Sequence, residues 1–327
     1  MKARPQTDWQ HRLSILAGNY GVVVFFLILV AAFALALPDQ FPTWANTRTI
    51  LSNQAIPGLL ALAVIIPLVA GEFDLSVGAT LGFSSVVSAY LASHGTPVVV
   101  VLLVALGVGV AVGIVNGFLV TVVGVGAFIA TLGIGTVLAG GNLLVTQGSV
   151  ISQNIPAGLT DISQTEVLGL PIVCFYVLAM ALLLYYLLEW TPFGRYMQAT
   201  GQGRDAARLT GVRTKRWLFL SFVVAGLIAG LAGFLQTARI GSAAPTVGPE
   251  FLLPAYAAAF LGATTIHPGR FNVWGTIIGV LVLAVGISGL TLAGAPFWVP
   301  SVFNGGALVV AVSAATLMSR RTVAHAS

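Results

Sequence analysis

Charge is scarce in this chain of 327 residues: fourteen Lys or Arg and nine Asp or Glu make up 7% of it. Soluble domains carry about 25% charged residues, so this chain has no polar coat for a globule in water. Cysteine is reduced to Cys174, which excludes an intrachain disulfide framework. Lysine occurs only as Lys2 and Lys215, neither closing a glycine-rich loop, and so the chain holds no Walker A phosphate cradle. There is no His-Glu-x-x-His pair, and His11, His94, His267 and His325 lie far apart. No arginine-rich sensor and no chain of carboxylates within the apolar runs suggests a proton relay. These absences argue against enzymatic chemistry by this chain alone. If it moves a solute uphill, the energy comes from elsewhere.

What fills the space is apolar. Hydrophobic residues make up 57% of the sequence, and the mean hydropathy is +0.99. A chain this long and this apolar is neither soluble nor disordered; it is read as an all-α integral membrane protein that crosses the bilayer many times. The net charge of +5 does not point to nucleic acid, because the basic residues follow membrane topology rather than one soluble face. At the N-terminus, Lys2, Arg4 and Arg12 precede an apolar run and Ala34-Leu35-Ala36 resembles a signal-peptidase site. That run is longer than the usual signal core, so a first transmembrane helix is expected there.

Uninterrupted apolar runs locate the crossings, at about 20 residues each. Leu75–Thr160 holds no Asp, Glu, Lys or Arg and one histidine, His94; Ser93-His94-Gly95-Thr96-Pro97 and Gly124-Val125-Gly126 split it into three spans. Val167–Leu188 and Trp217–Ala238 hold one each, and Phe271–Ser319 holds two, divided near Gly294-Ala295-Pro296. Tyr20–Leu37, Ile56–Ala70 and Leu253–Ile266 bring the expectation to about ten. The last two are short and bracketed by Pro57 and Pro67 and by Pro254 and Pro268, which sets a lower bound of eight. With ten crossings and an inside N-terminus, twelve basic residues lie inside: Lys2, Arg4, Arg12, six between Arg195 and Arg216, Arg270, Arg320 and Arg321. Only Arg48 and Arg239 lie outside, and this bias fixes both termini inside. Trp44, Trp190, Trp217, Trp274 and Trp298 fall near span ends, where an indole suits the headgroup level. Glycines clustered at Gly107, Gly109 and Gly113 and at Gly226, Gly230 and Gly233 predict close helix crossings.

Three polar features interrupt the apolar runs. In Gly71-Glu72-Phe73-Asp74-Leu75-Ser76-Val77-Gly78, Glu72, Asp74 and Ser76 either line a polar cavity or hinge, or Asp74 caps the third helix through the free N–H groups near Ser76 and Val77. The longest inside stretch, 190–216, contains Gly203-Arg-Asp-Ala-Ala-Arg-Leu-Thr-Gly211, read as a two-turn helix stopped by Gly211. Arg204 and Arg208 stand on one face, with Ala206, Ala207 and Leu209 as exposed small apolar ground; the helix serves either topology and headgroup attraction or docking into a soluble partner. Finally, Asn116, Thr131, Thr136, Asn142, Gln236, Ser288, Thr291 and Asn304 sit inside spans. Each either bonds a neighbouring helix or contributes to a passage for a neutral polyhydroxylated solute.

The ordered set Asp74-Leu75-Ser76-Val77-Gly78, Asn116-Gly117, Phe128-Ile129-Ala130-Thr131-Leu132-Gly133, Gly194-Arg195 with Ala206-Ala207-Arg208-Leu209-Thr210-Gly211-Val212, and Trp274-Gly275-Thr276-Ile277-Ile278-Gly279 resembles the membrane subunits of ribose-type ABC importers. These form a subgroup of the branched-chain amino acid/ribose permease superfamily. The resemblance runs from about Asn53 to Met318. It implies a bundle similar to vitamin B12-type importer permeases, working as a dimer with a second permease copy or paralogue in the bacterial cytoplasmic (inner) membrane. It also implies a cytoplasmic ABC ATPase that carries the ATP and Mg, none being held on this chain, and a periplasmic or lipid-anchored solute-binding protein. Residues 1–19 would then be a cytoplasmic segment, 20–319 one permease domain with the coupling loop 190–216, and 320–327 a cytoplasmic tail. Arg204, Ala206, Ala207, Arg208, Leu209 and Gly211 would form the coupling helix on the ATPase. Asn116, Phe128, Thr131, Asn142 and Asn304 are candidates for the translocation path. Two departures stand out: the family places two glycines and an isoleucine before Asp-Leu-Ser, where this chain has Ala70-Gly71-Glu72-Phe73, and His267-Pro268-Gly269-Arg270-Phe271 replaces a short glycine-rich turn. The expected activity is import of a small neutral solute, a monosaccharide or polyol. An amino-acid permease of the same superfamily and an ion-coupled secondary transporter are the alternatives.

Overall fold

The computed structural model describes the backbone of residues 8–324 and the side chains of residues 20–316. Lys2 and Arg4, the side chains of Arg12, Arg320 and Arg321, and the end of the expected tail lie outside the described residues. Among those described, the structure is helical apart from a two-residue hairpin, β1 (Glu166–Val167) with β2 (Leu170–Pro171). The helices are α1 (Asp8–Ala36), α2 (Trp44–Val69), α3 (Val77–Ser93), α4 (Val98–Phe118), α5 (Ala127–Thr146), α6 (Ala157–Gln164), α7 (Ile172–Tyr185), α8 (Pro192–Gln202), α9 (Arg204–Leu209), α10 (Thr214–Ile240), α11 (Pro249–Gly262), α12 (Val273–Leu292) and α13 (Val299–Ala324). One π-helical turn each extends α4 over Leu119–Val123 and α7 over Tyr186–Trp190.

Among the described residues, seven helices are long and apolar enough to cross a membrane: α2, α4, α5, α7, α10, α12 and α13, with α4 and α7 counted through their π turns. Tyr20–Ala36 and α3 are shorter apolar helices, and α11 has 14 residues. The second span is not short, as its prolines suggested. It begins at Trp44, where Thr43 Oγ1 accepts the Asn46 N–H at 3.2 Å, and runs through both Pro57 and Pro67. Neighbouring helices pack around it and support the interrupted ladder. Helix α6 and the hairpin that follows were not anticipated.

Helices α2 and α10 form the centre. Nearly every residue of α2 from Ala55 onward is buried, as expected of a helix that is apolar all round. Helix α10 crosses α4 at Gly109, Gly113, Gly226 and Gly230, while Gly107 faces open space and Gly233 packs on α3 instead. A Cβ on Gly109 would collide with the Gly226 carbonyl, and one on Gly226 with the Gly109 carbonyl, so the backbones touch. This is packing by small residues, which drives helix association where water supplies no hydrophobic force. By contrast, the best apolar windows of α5 and α13 are only 22% and 6% buried, leaving both as peripheral helices with wide apolar faces.

Candidate functional site

The chain between α2 and α3 draws polar groups from three helices into one buried junction. Helix α2 stops in a Schellman turn: Gly71 takes φ 83°, its N–H reaches the Leu68 carbonyl at 3.0 Å, and the Glu72 N–H reaches Pro67 at 2.9 Å. The turn carries Asp74 into the interior, where it is 1% exposed. Its Oδ1 accepts the Ser76 N–H at 2.9 Å and the Ser76 hydroxyl at 2.6 Å. Asn116 of α4 donates its Nδ2 to Ser76 Oγ at 2.7 Å. Thr131 of α5 accepts the Leu75 N–H at 3.0 Å while donating to Ala127 one turn back at 2.7 Å. The Tyr256 hydroxyl of α11 donates to the Asp74 carbonyl at 2.9 Å and accepts its N–H at 3.0 Å. Phe73 lies against Tyr256 and Phe260, with ring centroids 5.9 and 6.2 Å away.

Asp74 therefore closes a turn onto Ser76 rather than capping α3 itself: Ser76 holds the N-cap position of α3, which has no side-chain cap bond, and Asp74 is wholly buried rather than at an exposed edge. Burial pushes its carboxyl up from 3.8 to about 6, against the opposing effect of the two bonds from Ser76. Asn116 bonds Ser76 and Thr131 bonds Leu75, which places both path candidates at this junction. Asn116 Oδ1 is nonetheless buried without a partner. Tyr256 and Asn272 were not singled out from sequence. Asn272 accepts the Gly275 N–H at 2.7 Å and donates to the carbonyls of Gly262, Thr265 and Arg270 at 3.1 to 3.2 Å, closing the turn from α11 into α12. Its one signal was position, immediately before an apolar run.

Glu72 links this junction to the basic stretch. Arg204, the first residue of α9, donates Nη2 to Glu72 Oε1 at 2.6 Å. Helix α9 has six residues rather than the expected two full turns, and it ends in a second Schellman turn: Gly211 N–H to Arg208 at 3.0 Å and Val212 N–H to Ala207 at 3.0 Å, with Gly211 at φ 86°. Ala206, Arg208 and Leu209 are exposed, Leu209 at 90%. Ala207 is buried, which corrects its placement on the exposed face: the helix is short enough that one side must seat on the bundle. At this same basic end, a cavity of about 220 Å³ separates α8 from the turn 267–272, with Glu189, Gln198, Gln202, His267 and Arg270 on its walls.

The remaining candidates stand apart. Phe128 is 60% exposed. Asn142 is buried beside Gly82 of α3, its Oδ1 without a partner. Asn304 of α13 lines another cavity, toward the opposite end. Of the five path candidates, Asn116 and Thr131 meet at the 74–76 junction, while Phe128, Asn142 and Asn304 have other surroundings, because polarity within an apolar run marks neither the face nor the depth of a side chain. Arg48 and Arg239, the two arginines assigned outside, do meet. They line one cavity of about 560 Å³, where Arg48 pairs with Glu166 and Arg239 Nη1 donates to Asn53 Oδ1 at 3.1 Å.

Comparison with known proteins gives one consistent result. Residues 46–312 match the family model described as branched-chain amino acid transport system / permease component. The chain is similar to the D-allose transport system permease protein of Escherichia coli, at 30% identity over 92% of this chain and 93% of that one. It is also similar to the ribose import permease protein of Bacillus subtilis, at 33% identity covering 88% and 89%, and to the fructose import permease protein of Rhizobium meliloti, at 33% covering 88% and 82%. No solved structure gives a significant match.

Proposed function

Because the chain belongs to the branched-chain amino acid transport system / permease component family, we propose that it is the membrane permease subunit of an ABC importer moving a monosaccharide into the cytoplasm. The observation that carries this reading is similarity along nearly the whole of both chains to import permeases for allose, ribose and fructose. The subunit is a transport component and not an enzyme, seated in the cytoplasmic membrane. The missing phosphate cradle supports an ATPase on a separate chain, which would hold the ATP and Mg. A solute-binding protein on the outer side and a second permease copy, packed on the wide apolar faces of α5 and α13, complete the assembly. We read α1 to α5, α7 and α10 to α13 as ten crossings, both termini inside, in a bundle similar to vitamin B12-type permeases. The basic loop at one end and the isolated Arg48 and Arg239 at the other support that orientation.

In this reading α9 is the coupling helix, with Arg208 and Leu209 presented to the ATPase and Arg204 held back by Glu72. The expression of the chain with its ATPase and binding protein in cells lacking other sugar uptake tests the function. Accumulation of labelled D-allose, D-ribose or D-fructose is expected, and accumulation of none of them would overturn it. Arg208→Glu with Leu209→Asp should abolish uptake while the permease still inserts. If that double mutant copurifies with the ATPase and transports normally, α9 is not the coupling helix.

A further inference from the structure

Helices α2 and α11 carry proline in their interiors, and Pro57 and Pro254 line the same cavity. We propose that this cavity, about 240 Å³ and also lined by α12 and α13, is a solute-holding site for a small neutral polyhydroxylated molecule. The proposal rests on the monosaccharide reading above and assigns it a place in the bundle.

The backbone argument comes first. Pro57 has no N–H for the Asn53 carbonyl, and Pro254 has none for the Glu250 carbonyl. Two membrane helices therefore leave part of their ladder open at one level. In a bilayer an open ladder is tolerated where it is packed in protein or lines a cavity. Each of the two helices is also followed by a broken turn, 70–76 and 263–272, and then by a further apolar helix. A pair of proline-interrupted segments in corresponding positions of two halves marks a transporter's binding site.

The side chains agree. Gln54, Glu250 and Asn304, from three different helices, line the cavity. Asn304 Oδ1 is buried and receives no hydrogen bond; an acceptor withdrawn from water and left unmet is costly unless a ligand or water meets it. The carboxylate offers only acceptors, while the two carboxamides offer both donors and acceptors. Phe251 and the proline rings give apolar walls. A molecule with hydroxyls at its edge and C–H groups on its faces answers both sets. The cavity walls carry Glu250 and no cation, so an anionic solute would meet repulsion without compensation. The volume lies just below the range of about 300–1,000 Å³ usual for drug-sized ligands, as suits a single sugar ring.

The test uses the complete importer in proteoliposomes, with D-ribose, D-allose and D-fructose as probes. Asn304→Leu and Gln54→Leu should each cut uptake of the transported sugar by about tenfold or more at unchanged membrane abundance. A second arm places a thiol at the site in a Cys174→Ala background. Asn304→Cys should react with a hydrophilic thiol reagent added outside, and sugar supplied with the binding protein should slow the reaction severalfold. Sugar uptake within twofold of wild type in both leucine variants overturns the site while leaving the sugar reading intact. An unreactive Asn304→Cys, or one that sugar does not protect, also overturns it. If the wild-type importer moves none of the three sugars, the sugar reading fails and takes with it the solute class assigned to the cavity.

Discussion

Asp74 holds the turn into α3 from a wholly buried position. Replacing it by Asn keeps an oxygen for the Ser76 N–H and hydroxyl, so below pH 4, where the wild-type carboxyl is also protonated, Asp74→Asn should leave stability nearly unchanged. Asp74→Ala leaves the Ser76 N–H unmet, at a cost of about 1–3 kcal/mol, read as a lower midpoint in detergent unfolding. The carboxyl also gives the stability a pH dependence. Its folded value near 6 lies above the ordinary 3.8, so the folded state holds a proton that the unfolded chain releases. Its contribution is full below pH 4 and is lost as pH rises through 6. The wild type should therefore lose stability relative to Asp74→Asn between pH 4 and 7; a constant difference would mean the carboxyl is not desolvated. The local turn onto Ser76 was readable in sequence because a carboxylate just before an apolar helix is a local signal, although the bond stops at Ser76 and does not reach α3 itself. Its bonds to Tyr256, more than 180 residues away, were not, because nothing local to either residue encodes the packing of α11 against the turn.

At the scale of elements, two contacts set the geometry. The first is the glycine crossing of α4 with α10, which Gly226→Leu should disrupt by driving a side chain into the Gly109 backbone. Overpacking of this kind costs about 1–3 kcal/mol, visible as reduced insertion or a lower unfolding midpoint. The spacing of small residues foretold this contact well, since close approach leaves a direct mark on sequence. The second is the Glu72–Arg204 pair between the α2–α3 turn and α9. Glu72 occupies a position where the sequence departs from the resembling family, and the pair gives that departure a structural partner. Both groups are partly exposed, so the pair contributes only about 0.2–1 kcal/mol. Its value lies in orientation. Glu72→Arg should misplace α9 and raise the ATP spent per solute moved, and adding Arg204→Glu should restore much of the ratio. If the double exchange transports no better than the single one, the pair does not position α9.

For the whole molecule, composition and the placement of a few charges were enough to identify a membrane bundle. They did not reveal which polar residues share a site. Asn116 and Thr131 fell into a structural junction, and Asn304 joined Gln54 and Glu250 only once α2, α11 and α13 were assembled. Proline was the better guide: Pro57 and Pro254 looked like punctuation of short segments, but they mark two long-range neighbours on one cavity. The central claim is that this chain carries a sugar inward at the expense of ATP hydrolysed on a partner. It is tested most directly by labelled sugar uptake into proteoliposomes holding the permease, its ATPase and its binding protein, with ATP inside and a protonophore added. The account predicts uptake that requires the enclosed ATP and persists when the proton gradient is collapsed; uptake that proceeds without ATP and vanishes with the gradient would contradict it.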